Sequence, residues 1–222
     1  APASRDTRPG TGRDDRGGDA RPDSGAAPVL EPGNTEPRNA VAFRPTSQDD
    51  LAPSGARARY EANIAAIALS RALEAEERPA TSEEQQTLAR WSSWGAIPQV
   101  FDERNEQWAN EREQLRELLD TDAFTAARRT TINAHYTDAG YVAAMWDTLG
   151  DLGFEGGDVL EPGSGSGTFI GMAPSSARMV GVELDPTTAS IARGLYPDAE
   201  IRTESFAETR LPRGHFDAML GN

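Results

Sequence analysis

The chain has 222 residues, only 37% of them hydrophobic, with 21 Gly and 15 Pro, so it can fill one modest core while part of its length stays unfolded. All 22 basic residues are Arg; against 36 acidic ones they leave a net charge of −14, which repels a polyanion on average and argues against a nucleic-acid grip by this surface. Without cysteine there is no disulfide framework, thiol nucleophile or cysteine zinc site; no apolar run approaches the about 20 residues of a membrane span, and the polar N-terminus lacks a signal peptide's apolar stretch.

These features predict a cytoplasmic protein with no membrane contact. The two histidines are isolated and predict no metal site. From Ala1 to about Gly55 the chain is built from Arg, Asp, Gly, Pro and Ala. Such a segment buries too little apolar surface to offset roughly 1 to 2 kcal/mol of backbone entropy per residue, and a disordered tail or linker is expected over residues 1–55.

A helical region is expected over residues 56–130. Tyr60, Ile64 and Ile67 recur at helical spacing, and this first helix should end before Pro79. "TSEE" at Thr81 to Glu84 is a capping box that starts a second helix: the Thr81 hydroxyl accepts from the Glu84 amide and the Glu84 side chain reaches back. "WSSWGAIPQVF", Trp91 to Phe101, reads as a loop whose aromatics pack this region rather than stack on bases. "NEQWANEREQLRELL" resumes a helix with Leu115, Leu118 and Leu119 on its apolar side.

Thr137 is a candidate N-cap for a further helix that buries Val142, Met145, Trp146 and Leu149 and ends at Gly150 and Gly153. Strand-like runs then alternate with helix-like ones: "DVLEP", "ARMVGVEL", "AEIRTES" and "HFDAMLGN". Alternation of this kind predicts an α/β fold with a parallel sheet and crossover helices.

"VLEPGSGSGTFIG", Val159 to Gly171, carries the chemistry. Gly163, Gly165 and Gly167 let the backbone turn sharply after the strand and approach a nucleotide-like ligand. The dinucleotide fingerprint is G-x-G-x-x-G, and Thr168 stands at its third glycine, which disfavours a nicotinamide oxidoreductase. Glu183 ends the next strand about 20 residues after the first glycine, where a carboxylate accepts from both hydroxyls of a ribose. Asp185 reads as the cap of the helix after Pro186.

Taken together, "HYT" (His135 to Thr137), "VLEPGSGSGTFI", "VGVELDP" (Val180 to Pro186), "ESF" (Glu204 to Phe206) and "FDAMLGN" (Phe216 to Asn222) resemble the successive cofactor motifs of amino-group DNA methyltransferases. The order is that of the branch, mostly adenine-N6 enzymes, in which the methionine-binding motif precedes the glycine loop. The Trp91 to Glu103 stretch followed by Ile132 to Thr137 is also similar to large methyltransferase-helicase fusions of phages and mobile elements. The resemblance covers about residues 131–222.

It implies S-adenosylmethionine as cofactor and a Rossmann-like class I methyltransferase sheet of strand order 3-2-1-4, of which this chain holds the N-terminal half. Tyr136 and Thr137 would contact the methionine end. Glu161, Gly163, Ser164, Gly165 and Gly167 would form the loop beneath the cofactor, Glu183 and Leu184 would hold the ribose and one adenine face, and Phe206 would cover the other. The family shows Asp before that Phe; here Ser205 stands there with Glu204 before it, so the adenine contact would be weaker. Asn222 would open the catalytic tetrapeptide that accepts from the target amine. The chain is therefore expected to be a fragment, inactive alone, whose DNA grip and any fused or associated helicase region lie outside these residues. RNA or protein as substrate, or a catalytically inactive binding or regulatory module, are the alternatives.

Overall fold

Short capped helices come first along the chain and strands second. The structure is a computed structural model that describes residues 41–222; residues 1–40, where most of the expected tail falls, lie outside the described residues. Residues 43–45, which fall within the expected tail of residues 1–55, pack on the body of the protein. The Phe43 amide donates to the Leu195 carbonyl at 2.8 Å, Arg44 donates to the Ala173 carbonyl at 2.5 Å, and Pro45 is buried. These contacts join residues more than 100 positions apart, so a composition that is locally polar conceals them.

Helix α1 (Ala56–Ala75) buries Tyr60, Asn63, Ala66, Ile67, Ser70 and Leu73, a single stripe at spacings of three and four. Helix α2 (Ser82–Ala89) starts at the expected capping box: Thr81 Oγ1 accepts from the Glu84 amide at 3.3 Å, and Glu84 Oε2 accepts from the Thr81 amide at 2.8 Å. The Trp91 to Phe101 loop turns inward. Trp91 and Trp94 are almost fully buried, in edge-to-face contact at 6.0 Å, and Phe101 stands edge-on to Trp94 at 5.5 Å. Base stacking by these indoles is thereby ruled out, and packing is what they do.

Helix α3 (Ala109–Leu118) closes this aromatic cluster with Leu115, and Leu119 follows buried. Helix α4 (Thr121–Asn133) is one the sequence reading did not separate; Asp120 caps it by accepting from the Ala123 amide at 2.8 Å. Helix α5 (Ala139–Asp151) is capped by Asp138, whose Oδ1 accepts from the Gly140 amide at 2.8 Å, and not by Thr137 as expected. The shift of one residue releases the Thr137 hydroxyl for another partner.

Strand β1 (Gly157–Pro162), helix α6 (Thr168–Met172), strand β2 (Ala177–Glu183), helix α7 (Pro186–Leu195), strand β3 (Glu200–Thr203) and strand β4 (Ala218–Met219) complete the chain. All neighbouring strands are parallel and the order is β3-β2-β1-β4, as the resemblance implies. Val159, Met179 and Ile201 face the helices, whereas Leu160, Val180 and Val182 form a small second cluster with Leu211 and Phe216. The expected division at residues 130/131 crosses a shared core: Tyr60, Trp94 and Leu115 belong to the same buried cluster as Val142, Val159 and Leu195. Among the described residues, no helix is long and apolar enough to cross a membrane.

Candidate functional site

A parallel sheet exposes the carboxyl ends of its strands to the loops that follow, and ligands of open α/β sheets bind there. At that edge β1 runs out at Pro162 into Gly163 to Gly167, and β2 ends at Glu183. The loop is tied back to β2 by the Ser164 amide, which donates to the Val182 carbonyl at 3.0 Å. Gly165 has φ +55°, and a Cβ there would stand 3.1 Å from Tyr136 Cε1. Gly165 therefore lets the Tyr136 ring lie against the loop, and this contact joins the "HYT" motif to the glycine motif.

A cavity of about 480 Å³ opens over this edge. Its lining includes Tyr136, Thr137, Glu161, Gly163, Ser164, Gly165, Glu183, Leu184, Glu204, Ser205, Phe206 and Asn222. Every site residue expected from the sequence is thus brought to one cavity except Gly167. That residue caps α6 in the left-handed conformation, φ +86°, with the Tyr196 ring 2.7 Å from where its Cβ would be. The third glycine packs against Tyr196, at the end of α7, and is not among the lining residues.

The two strand-end acids differ in their surroundings. Glu183 accepts from the Gly165 amide through Oε2 at 2.8 Å and from the Asp185 amide through Oε1 at 2.7 Å. Burial raises its pKa and these amides oppose the rise. Glu161 is 3% exposed, and its Oε2 has no hydrogen-bond partner among the described residues; nor does Ser164 Oγ, also buried. Burial pushes the Glu161 pKa well above 4.5; the Ile170 amide works against this and the charge of Glu183 adds to it. Burial likewise raises the pKa of the Tyr136 hydroxyl, and Glu183 reinforces the effect. Asp185 caps α7, as expected, by accepting from the Thr188 amide at 2.9 Å and hydroxyl at 2.6 Å. Thr188 also accepts from Trp91 Nε1 at 3.2 Å, so the helical region is bonded directly to the cavity wall.

Two apolar side chains, Leu184 (69% exposed) and Phe206 (42%), stand open to solvent at the cavity, where apolar groups have no structural reason to be. At the end of β4 the Leu220 amide donates to the Leu160 carbonyl at 3.0 Å, which carries the chain on to Asn222. Asn222 Nδ2 donates to Thr137 Oγ1 at 3.2 Å.

No family model matches the chain. Over 94 residues it is 24% identical to Defense against restriction protein B of Escherichia phage P1, a match that covers 41% of this chain and 4% of that protein's length. Among solved structures, Streptomyces venezuelae DesVI is 24% identical with a TM-score of 0.30, over 36% of each chain. A TehB-like SAM-dependent methyltransferase from Corynebacterium glutamicum is 17% identical with a TM-score of 0.27, over 38% of this chain and 54% of that one. The mitomycin 7-O-methyltransferase MmcR is 22% identical with a TM-score of 0.32, over 76% of this chain and 48% of that one.

Several lining residues were not singled out from the sequence. Ser93 comes from the tryptophan loop, and Ala126, Arg129 and Thr130 come from α4. The Asp120 cap with Ala123, Phe124 and Ala127 behind it was a readable sign of the helix itself. Nothing local to those residues indicates that the helix faces the glycine loop.

Proposed function

We propose that this chain provides the S-adenosylmethionine site of an amino-group methyltransferase whose target is the N6 amine of adenine in DNA. The observation that carries the reading is the meeting of Asn222 with Thr137 at the cavity that Glu161 and Glu183 line. A dinucleotide site uses a glycine loop and a ribose-binding acid, but has no need of a carboxamide delivered by a fourth strand.

The residues present fit the cofactor. Glu161 Oε2 and Ser164 Oγ are buried polar atoms without protein partners, as atoms awaiting a ligand are. Glu183 uses two of about four acceptor positions on backbone amides, which leaves capacity for both ribose hydroxyls. Leu184 and Phe206 supply exposed apolar surface for the two faces of an adenine. Acidic groups suit the positive sulfonium and ammonium of this ligand.

When bound, S-adenosylmethionine supplies an electrophilic methyl group. The protein's part would be positional: Glu183 would hold the ribose, Glu161 would accept from the ammonium, and Tyr136 with Thr137 would close the methionine end. Asn222, whose Nδ2 donates to Thr137, would offer its carbonyl oxygen to the amine of a base turned out of the duplex. Direct transfer from a fixed geometry needs no covalent bond to the enzyme. DNA, and a helicase region fused to or associated with the chain, are the partners this reading proposes. With a net charge of −14, the grip on the duplex would lie outside these residues.

Calorimetric titration with S-adenosylmethionine and with NAD tests the reading, with binding rather than turnover as the readout. The adenosylmethionine should bind and NAD should not. Glu183→Ala removes the ribose contacts and frees the Gly165 and Asp185 amides, so affinity should fall about tenfold or more. A preference for NAD, or adenosylmethionine binding that survives the substitution, would defeat the proposal.

A further inference from the structure

We propose that Arg129 of α4 is the residue by which this cavity selects a ligand bearing a free carboxylate, pairing with the α-carboxylate of an adenosyl amino acid. The inference rests on the adenosylmethionine reading and adds a specificity-determining residue from the helical region.

Charge is the starting point. The cavity is lined by four carboxylate side chains, Glu161, Glu183, Asp185 and Glu204. These attract a sulfonium and an ammonium but repel the carboxylate of the same amino acid, and repulsion acts strongly where water is partly excluded. A zwitterionic amino-acid end therefore needs a fixed positive partner. Among the described lining residues Arg129 is the only arginine, and the chain has no lysine.

Arg129 is also free to serve. Seven other arginines form ion pairs with nearby acids. Among the described residues Arg129 makes no such pair. Its neighbours one helical turn away, Thr125, Ala126, Ile132 and Asn133, carry no charge that could neutralise it. An exposed arginine at an acidic cavity with no partner of its own is suited to a ligand carboxylate, which its planar fork can hold through two hydrogen bonds.

The helix that carries it is anchored. Ser93 Oγ donates to Thr130 Oγ1 at 3.0 Å, and the Ser93 carbonyl accepts from Asn63 Nδ2 at 2.6 Å in the interior. Gly95 lies so close to the end of α4 that a Cβ there would stand 2.0 Å from the Ala134 carbonyl oxygen. The backbone at Arg129 is thus fixed to the tryptophan loop, while among the described residues its guanidinium has no ion-pair partner. The helical region contributes a binding group as well as packing.

The test compares S-adenosylmethionine with its decarboxylated form, which keeps the sulfonium and ammonium and lacks only the carboxylate, by calorimetry on the 222-residue chain. The unsubstituted protein should prefer the carboxylated ligand, and the preference should shrink as salt rises, because Arg129 is exposed. Arg129→Gln should weaken S-adenosylmethionine about tenfold and leave the decarboxylated ligand unchanged. Arg129→Lys should restore part of the loss. Unchanged binding of the decarboxylated ligand also shows that the variant is folded. Equal weakening of both ligands, no weakening of either, or an unsubstituted protein without preference would overturn the inference. Failure of the unsubstituted protein to bind either ligand would instead remove the adenosylmethionine reading, and this inference with it.

Discussion

Asn63 and Glu161 are both buried polar residues, at 0% and 3% exposure, yet their surroundings are opposite. In the helical region every polar atom of the Asn63 side chain has a use: Nδ2 donates to the Ser93 carbonyl at 2.6 Å, and Oδ1 accepts from the Ser92 amide at 2.9 Å and hydroxyl at 3.2 Å. At the glycine loop Glu161 Oε2 and Ser164 Oγ have no partner among the described residues. Orphaned polar atoms in a dry interior are costly, and a fold tolerates them where a ligand completes the set. The first region satisfies its own buried polar groups, and the second does not.

The comparison would break most visibly at Trp94. It is 1% exposed and touches Tyr60, Trp91 and Phe101, so Trp94→Ala should cost about 3–5 kcal/mol in urea unfolding. Because both regions share one core, the loss should appear as a single cooperative transition at lower urea. Two separate transitions would show instead that the helical region folds as a unit of its own.

Asn63→Ala sharpens the contrast directly. It leaves the Ser92 amide and the Ser93 carbonyl buried without their partner, and should destabilise the protein by about 2–3 kcal/mol in the same assay. A change under about 0.5 kcal/mol would mean that water replaces the side chain and the network is not closed.

Glu161→Gln should have the smallest effect, and its sign should depend on pH. Since the folded-state pKa is raised above 4.5, the folded protein holds a proton that the unfolded chain releases. The stabilising contribution is present below the unfolded value and is lost as pH rises from about 4.5 through the raised folded value. Gln cannot ionise, so the variant should lie within about 1 kcal/mol of the unsubstituted protein at pH 4.5 and gain on it steadily toward neutral pH. Thermal denaturation of both across that range checks the direction, and parallel curves would refute it. On the adenosylmethionine reading the ligand's ammonium pulls this pKa back down, so binding at a pH between 4.5 and the raised folded value should release a proton, measurable as an enthalpy that varies with the buffer's heat of ionisation.

The parts of this molecule legible in the sequence are those built from contacts a few residues long. The Thr81 to Glu84 box, the Asp185 cap and the turn at Gly163 to Gly165 each depend on groups at fixed offsets along the chain, and such offsets are visible in the letters. Strand order was legible by resemblance, and twelve of the thirteen residues expected at the site line one cavity, because motif order along a parallel α/β chain maps onto one edge of the sheet. Even local reading has a resolution limit: the α5 cap is Asp138, one residue beyond Thr137, since either side chain can accept from a first-turn amide.

Tertiary structure alone decided what those motifs meet. It set Gly167 against Tyr196, bonded Phe43 and Arg44 to the ends of α7 and α6, bonded Trp91 to Thr188, and brought Ser93 and Arg129 to the cavity wall. It also joined Asn222 to Thr137 across 85 positions. The physical reason is common to all of these. A cap or a tight turn forms from its own residues whatever surrounds it, whereas a contact between distant segments exists only once a shared core has fixed how helices and sheet lie against each other.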